Sequence, residues 1–79
     1  MPIPDTTRAF GDAVRQVRSE RGLSQEDAAL ASGIDRAYFD HIERATKTPT
    51  LRTIWRIADA LDLPPSELLR RAEKIVAGR

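Results

Sequence analysis

The stretch from Gln25 to Arg44 constrains the fold of this chain more than any other part of the sequence. Its apolar or small residues recur at helical spacing, and Gly33 separates two halves that each have one such face. Glycine adopts positive φ without steric cost, so the chain can reverse direction here within three or four residues. The pattern therefore predicts two short helices joined by a tight turn. The inward positions are Ala28, Ala29, Ile34, Phe39 and Ile42.

This stretch resembles the helix-turn-helix of the lambda-repressor-like (Cro and Xre) family of bacterial and phage regulators. The likeness extends from about Phe10 to Leu69, through RQVRSERGLSQEDAA before the motif and PTLRTIWRIADALDLPPSELL after it. It implies an all-α, five-helix DNA-binding domain with the helix-turn-helix at about residues 25–44. IDRAYFDHIER is also similar to the small controller proteins of restriction-modification systems. The residues that carry the family pattern are Gln25, Ala29, Gly33, Ile34, Phe39, Ile42 and Glu43.

Length and composition limit the chain to few classes of protein. Seventy-nine residues permit one domain with a small core, for which a second copy of the chain adds stability. There is no cysteine, and the chain has neither a signal peptide pattern nor an apolar run of membrane-spanning length. We therefore expect a cytoplasmic protein without a membrane partner. Residues 1–6 contain two prolines and are predicted to be a flexible arm, and residues 7–79 a single DNA-binding and dimerisation domain.

Positive charge is concentrated on and just after the second helix of the motif. The net charge of +1 argues against an indiscriminate polycation, but residues 35–56 hold five bases against three acids. This excess favours a surface that faces DNA, although such charges also solvate ordinary helix faces. The bases are Arg36, Arg44, Lys47, Arg52 and Arg56, and the acids are Asp35, Asp40 and Glu43.

In the family, the start of the motif's second helix lies in the major groove, so its outer residues are candidate base readers. Arg36 can donate two parallel hydrogen bonds to guanine O6 and N7. Ala37 can touch a thymine methyl group, and Asp40 can either accept from cytosine N4 or orient Arg36. His41 is a candidate for a polar DNA contact. As the only histidine, without ligands at metal spacing, it does not indicate a metal site.

A second set of residues is predicted to contact DNA phosphates. Ser24 is the expected N-cap of the motif's first helix, and Gln25 follows at a helix end that favours anions. The family resemblance also implies a phosphate contact for Gln25. Tyr38 has packing against the first helix as an equal alternative. The remaining candidates are Arg44, Thr46, Lys47 and Thr48.

The resemblance also implies an ion pair between Arg18 and Glu43 that fixes the second helix of the motif to the scaffold. Asp35 is predicted to cap this helix. Ala45 stands where the family has a glycine that ends it. Because alanine resists positive φ, the sequence predicts a different helix end or local strain at this residue.

The last two helices are predicted to carry both the core and a dimer contact. Helix four is expected from Thr50 to about Leu61 with Leu51 inward, and Pro65 begins helix five. Trp55 is predicted to pack in the core, with a dimer contact as the alternative. Helix five has more apolar residues than one small core needs, which indicates a homodimer. The predicted dimer residues are Trp55, Leu68, Leu69, Ala72, Ile75 and Val76.

The sequence thus predicts a homodimeric, sequence-specific transcriptional regulator that binds an inverted-repeat operator in double-stranded DNA. The alternative is a protein-interaction module such as an antitoxin or anti-repressor. An enzyme is not expected, because no catalytic set or phosphate-binding loop is present. No cofactor and no small-molecule effector are expected either.

Overall fold

The computed structural model describes residues 5–79, and all regular structure in that range is helical. The all-α, five-helix prediction is confirmed. Residues 1–4 of the predicted arm lie outside the described residues. Asp5 accepts a hydrogen bond from the Arg8 backbone N–H at 3.0 Å, so the first helix begins at Thr6. The helices are α1 (Thr6–Glu20), α2 (Gln25–Ser32), α3 (Arg36–Glu43), α4 (Leu51–Ala60) and α5 (Pro65–Ala77).

Local capping residues set most helix ends. Ser24 Oγ accepts from the Asp27 N–H at 3.0 Å, and Thr50 Oγ1 accepts from the Thr53 N–H at 3.1 Å. Gly33 has φ of 68° and closes α2, as the turn requires. Asp35 occupies the N-cap position of α3, but its side chain makes no capping hydrogen bond. The prediction that it caps α3 is wrong in that respect.

α1 packs against α5 and α3, α2 packs against α3 and α4, and α4 also packs against α5. Their apolar faces form one buried core. Its largest fully buried side chains are Val14, Val17, Phe39, Ile42, Ile57, Leu61 and Leu68.

The structure corrects several predictions for the last two helices. Leu68 and Ala72 are buried, because α1 covers the face of α5 that carries them, so they belong to the core and not to a dimer surface. Leu51 is 68% exposed and Trp55 56% exposed. Leu51 was expected to pack inward, as was Trp55 with a dimer contact as its alternative, but both are exposed and lie one turn apart on α4.

Ile75 and Val76 are half-buried against the core, and Leu69 is 41% exposed.

None of the described helices combines the length and the hydrophobicity that a membrane span needs.

Candidate nucleic-acid interface

Helix α3 has one face in the core and one in solvent. Phe39, Ile42 and Glu43 are buried, whereas Arg36 and Ala37 are exposed. Among the described residues, Arg36 has no ion-pair or hydrogen-bond partner, so all its donors are free. The residue predicted to read guanine therefore lies at the exposed start of the helix.

Glu43 holds the inner face of α3 to α1. Its carboxylate, only 2% exposed, accepts from Arg18 Nε at 2.6 Å and from Arg18 Nη2 at 3.1 Å. Arg18 also donates to the Leu23 carbonyl at 2.9 Å. Arg15 Nη2 donates to the backbone oxygen of Glu43 at 3.2 Å. The predicted pair of Arg18 and Glu43 is present, and Arg15 adds a contact that the sequence reading missed.

Gly11 brings α1 unusually close to the end of α3. A Cβ atom at this position would lie 2.5 Å from the Ile42 carbonyl oxygen and 2.7 Å from that of Glu43. A side chain at residue 11 would therefore collide with backbone. The sequence signal for this contact was a glycine inside a helical pattern, which costs helix stability and so indicates a packing reason.

The Gln25 side chain faces α3 and does not point away from the protein. Its Nε2 donates to Asp40 Oδ1 at 3.1 Å and to Glu43 Oε1 at 2.9 Å. Both amide protons are thereby used, and the remaining oxygen can only accept. In this conformation the side chain has no free proton for a phosphate, so its predicted phosphate contact stays a prediction that requires the side chain to turn. The backbone N–H groups of Gln25 and Glu26 have no partner among the described residues and are free for an anion.

Asp40 is bound on two sides. Besides Gln25, Arg44 Nη1 lies 3.3 Å from Asp40 Oδ2. The Gln25 hydrogen bond, followed by Arg44, holds the pKa of Asp40 below its usual range. Among the described residues no hydrogen bond or ion pair joins Asp40 to Arg36, so the alternative that Asp40 orients Arg36 is not seen in this conformation. Its position favours orientation of Arg44 over recognition of cytosine.

The end of α3 carries the only histidine of the chain. His41 Nδ1 lies 2.7 Å from Thr46 Oγ1, which also donates to the His41 backbone oxygen at 3.2 Å. The Thr46 and Ala45 N–H groups close the helix on the carbonyls of His41 and Ile42 at 2.9 and 3.1 Å. Ala45 adopts φ of 61°, so the helix ends where a glycine would end it, with strain at alanine.

The remaining phosphate candidates lie beside this helix end. Lys47 Nζ is 6.0 Å from the centre of the Tyr38 ring, and the half-buried ring packs against the core. Lys47, Thr46 and Thr48 are exposed, as is Arg44. No group of three or more potential metal-binding side chains occurs in residues 5–79.

A helix-turn-helix family model matches residues 14–68. The chain belongs to the helix-turn-helix family. The resemblance to lambda-repressor-like regulators and to controller proteins is confirmed by this match and by the following likenesses.

Two helix-turn-helix relatives are similar in sequence. Control protein C.BamHI of Bacillus amyloliquefaciens is 41% identical over 61 residues, covering 76% of this chain and 75% of that protein. The HTH-type transcriptional regulator SutR of Escherichia coli (strain K12) is 36% identical over 67 residues. These residues cover 85% of this chain but 38% of SutR. This helix-turn-helix chain therefore spans less than half of the length of SutR.

Two solved structures share the helix-turn-helix fold. The restriction-modification controller protein C.AhdI from Aeromonas hydrophila has a TM-score of 0.77 and 42% identity, over 78% of this chain and 94% of that chain. C.Esp1396I, a restriction-modification controller protein solved as a tetramer with its natural 35 base-pair operator, has a TM-score of 0.86 and 25% identity. That match covers 91% of this chain and 95% of the other.

Proposed function

We propose that this chain is a sequence-specific transcriptional regulator that binds an inverted-repeat operator as a homodimer in the cytoplasm. One observation carries the proposal. Helix α3 is anchored through Glu43 on its inner face, while the exposed Arg36 at its start has all its donors free. A fixed helix with free donors at its leading end is suited to enter the major groove.

Each part of the site has a separate task in this proposal. Arg36 recognises guanine, and Ala37 contacts a neighbouring base edge. The free N–H groups at the start of α2 bind a phosphate, aided by the Ser24 hydroxyl proton, and Lys47 and Thr48 bind another. Phosphate contacts supply affinity without sequence information, so discrimination comes from the outer face of α3.

The edge of α4 with Leu51 and Trp55, together with Leu69 of α5, is the proposed dimer surface. These are three of the four large apolar residues that the described part of the chain exposes. A two-fold axis there would present two copies of Arg36 to half-sites centred about 10 bp apart.

Within the family, we propose the narrower role of a restriction-modification controller. C.BamHI, C.AhdI and C.Esp1396I support this role by their similarity in sequence and fold. Control would then depend on protein concentration. Dimer formation and operator occupancy are linked by mass action, so the response to concentration is steeper than simple binding.

The test is fluorescence anisotropy with operators selected from a random duplex library. The wild-type chain should bind selected over random DNA, and more weakly as salt rises. Arg36→Ala should lose about 1–3 kcal/mol of discrimination at one base pair in each half-site. Arg70→Ala, which removes an exposed arginine of α5, is the control. Equal binding to every sequence by wild type and Arg36→Ala would contradict the proposal and favour a protein-interaction module.

A further inference from the structure

The contact between His41 and Thr46 limits what the imidazole ring can offer to DNA. A threonine hydroxyl has one proton and two lone pairs, whereas a backbone carbonyl only accepts. When Thr46 donates to the His41 carbonyl, its oxygen is left to accept a proton from His41 Nδ1. His41 Nε2 has no partner among residues 5–79.

Only the charged ring keeps both contacts and also offers a donor to DNA. If the neutral ring carries its proton on Nδ1, then Nε2 can only accept. If it carries the proton on Nε2, the Thr46 hydroxyl must turn from the carbonyl to Nδ1. The imidazolium donates from Nδ1 to Thr46 and still presents an N–H at Nε2.

Among the charges near His41, those of the operator favour this form. On α3 the neighbours are the Asp40 carboxylate and Arg44, which are paired with each other, and Lys47 follows in the loop. The charges of α1 that reach α3, Arg15 and Arg18, contact Glu43 on the inner face. α2 contributes the neutral Gln25 side chain at Asp40. Operator phosphates add negative potential on the outer side, which stabilises a cation there.

We propose that operator binding protonates His41, and that the imidazolium, oriented by Thr46, donates its Nε2 proton to an acceptor of the operator. This inference rests on the proposed function and adds proton linkage to it. The acceptor is a phosphate oxygen or a guanine O6 or N7, since each accepts from a cationic donor. Affinity then rises as pH falls and is lost as pH rises.

The first experiment measures the association constant for a selected operator between pH 8.5 and 5.5. Uptake of one proton per protomer gives at most about tenfold tighter binding per pH unit for each protomer. His41→Asn should remove this dependence, and Thr46→Val should weaken it. Thr7→Val, the same hydroxyl deletion on α1, should behave as the wild type.

Substituted operators identify the acceptor. Replacing single phosphates by methylphosphonate tests the phosphate oxygens, and replacing single guanines by 7-deazaguanine or by 6-thioguanine tests N7 and O6. The pH dependence should disappear at one such position in each half-site. Persistence of the full dependence at every substituted position would overturn the contact.

A second experiment observes the ring itself. The untagged chain has a single histidine, so the imidazole nitrogen signals in an NMR spectrum belong to His41. In the complex, both nitrogens should stay protonated to higher pH than in the free protein. A neutral ring in the complex, or the same pH dependence in His41→Asn, would overturn the inference while specific binding persists. Loss of sequence preference at every pH would instead reject the proposed function.

Discussion

At the level of single residues, Glu43 joins α1 and α2 to the helix that carries the proposed base-reading surface. Its side chain accepts from Arg18 and Gln25, and its backbone oxygen accepts from Arg15. Burial of the carboxylate makes these partners necessary, since an unpaired buried charge is costly. Glu43 therefore helps to fix the orientation of α3 from a position that is shielded from solvent.

Replacing Glu43 by glutamine should destabilise the protein markedly. The substitution removes the negative charge and leaves Arg18, whose side chain is only 16% exposed, without its partner. We expect the free energy of unfolding to fall by about 3 kcal/mol, measured by urea denaturation. Glu67→Gln breaks an exposed pair with Arg70 and should change it by less than about 0.5 kcal/mol. If the two substitutions lowered the free energy of unfolding equally, the buried pair would contribute no more to stability than the exposed pair.

Ala45 offers a stabilising change. Glycine adopts its φ of 61° freely, whereas a left-handed alanine costs about 1–2 kcal/mol. The greater entropy of unfolded glycine offsets part of this, so Ala45→Gly should raise the free energy of unfolding by roughly 0.5–1 kcal/mol. Asp62, at φ of 60°, is the control, because aspartate tolerates this region better and Asp62→Gly should gain less. A thermal melt of Ala45→Gly at or below the wild-type midpoint would contradict this account.

Sequence patterns and family resemblance predicted the features of the candidate site that depend on which residue type stands at a given position. Arg36, Gly33 and the pair of Arg18 and Glu43 followed from pattern and resemblance. The bonds of Gln25 did not, because the sequence cannot tell whether an amide at a helix start turns outward or towards the neighbouring helix. Arg15 was missed for a similar reason, since its partner is a backbone carbonyl that no sequence pattern marks.

Among the helices, the contact between α1 and α3 is the one that sequence reasoning underestimated. Apolar spacing predicted which faces meet, and capping residues predicted where the helices begin. The distance between two helices depends instead on the smallest residue at their crossing, which here is Gly11. The exposure of Leu51 and Trp55 could not be predicted either. Helical spacing of apolar residues shows that a helix has an apolar face, but not which part of that face a neighbouring helix covers.

Gly11→Ala should push α1 away from the end of α3. The new methyl group would meet carbonyl oxygens at 2.5 and 2.7 Å, and backbone atoms cannot rotate away as side chains do. We expect a loss of about 2–3 kcal/mol in the free energy of unfolding, measured by urea denaturation, because overpacking shifts the helices. Operator affinity, measured on the folded fraction, should fall as well.

Gly78→Ala provides the matched control for this change. A Cβ atom at residue 78 meets only carbonyl oxygens at 3.5 and 3.7 Å, which is ordinary contact. This variant should keep stability within about 0.5 kcal/mol. If Gly11→Ala had the same free energy of unfolding as Gly78→Ala, the close approach of α1 and α3 would not contribute to stability.

For the whole molecule, the exposed apolar side chains fall into two groups, neighbours on one helix and an isolated residue. Leu51 and Trp55 lie one turn apart on α4, whereas Leu30 stands on α2 and is 82% exposed. Neighbouring apolar residues form a patch that a second subunit can cover, while a single exposed leucine needs no partner.

Changing Leu51 and Trp55 together to glutamine should therefore weaken the dimer at least about tenfold, because aromatic anchors dominate such interfaces. Sedimentation equilibrium measures the effect, and circular dichroism should show unchanged helix content. Leu30→Gln should dimerise as the wild type does. A double variant that remains as dimeric as the wild type would place the interface elsewhere.

The division of α3 into an anchored side and a free side has an evolutionary consequence. The side-chain hydrogen bonds from α3 to α1 and α2 are made by Glu43 and Asp40, whereas Arg36 and Ala37 are exposed. If Arg36 and Ala37 read bases as proposed, new side chains at these two positions would direct the protein to another operator while the hydrogen bonds that hold α3 stay intact. After gene duplication, two copies of the protein could then come to bind different DNA sites without first needing a more stable fold.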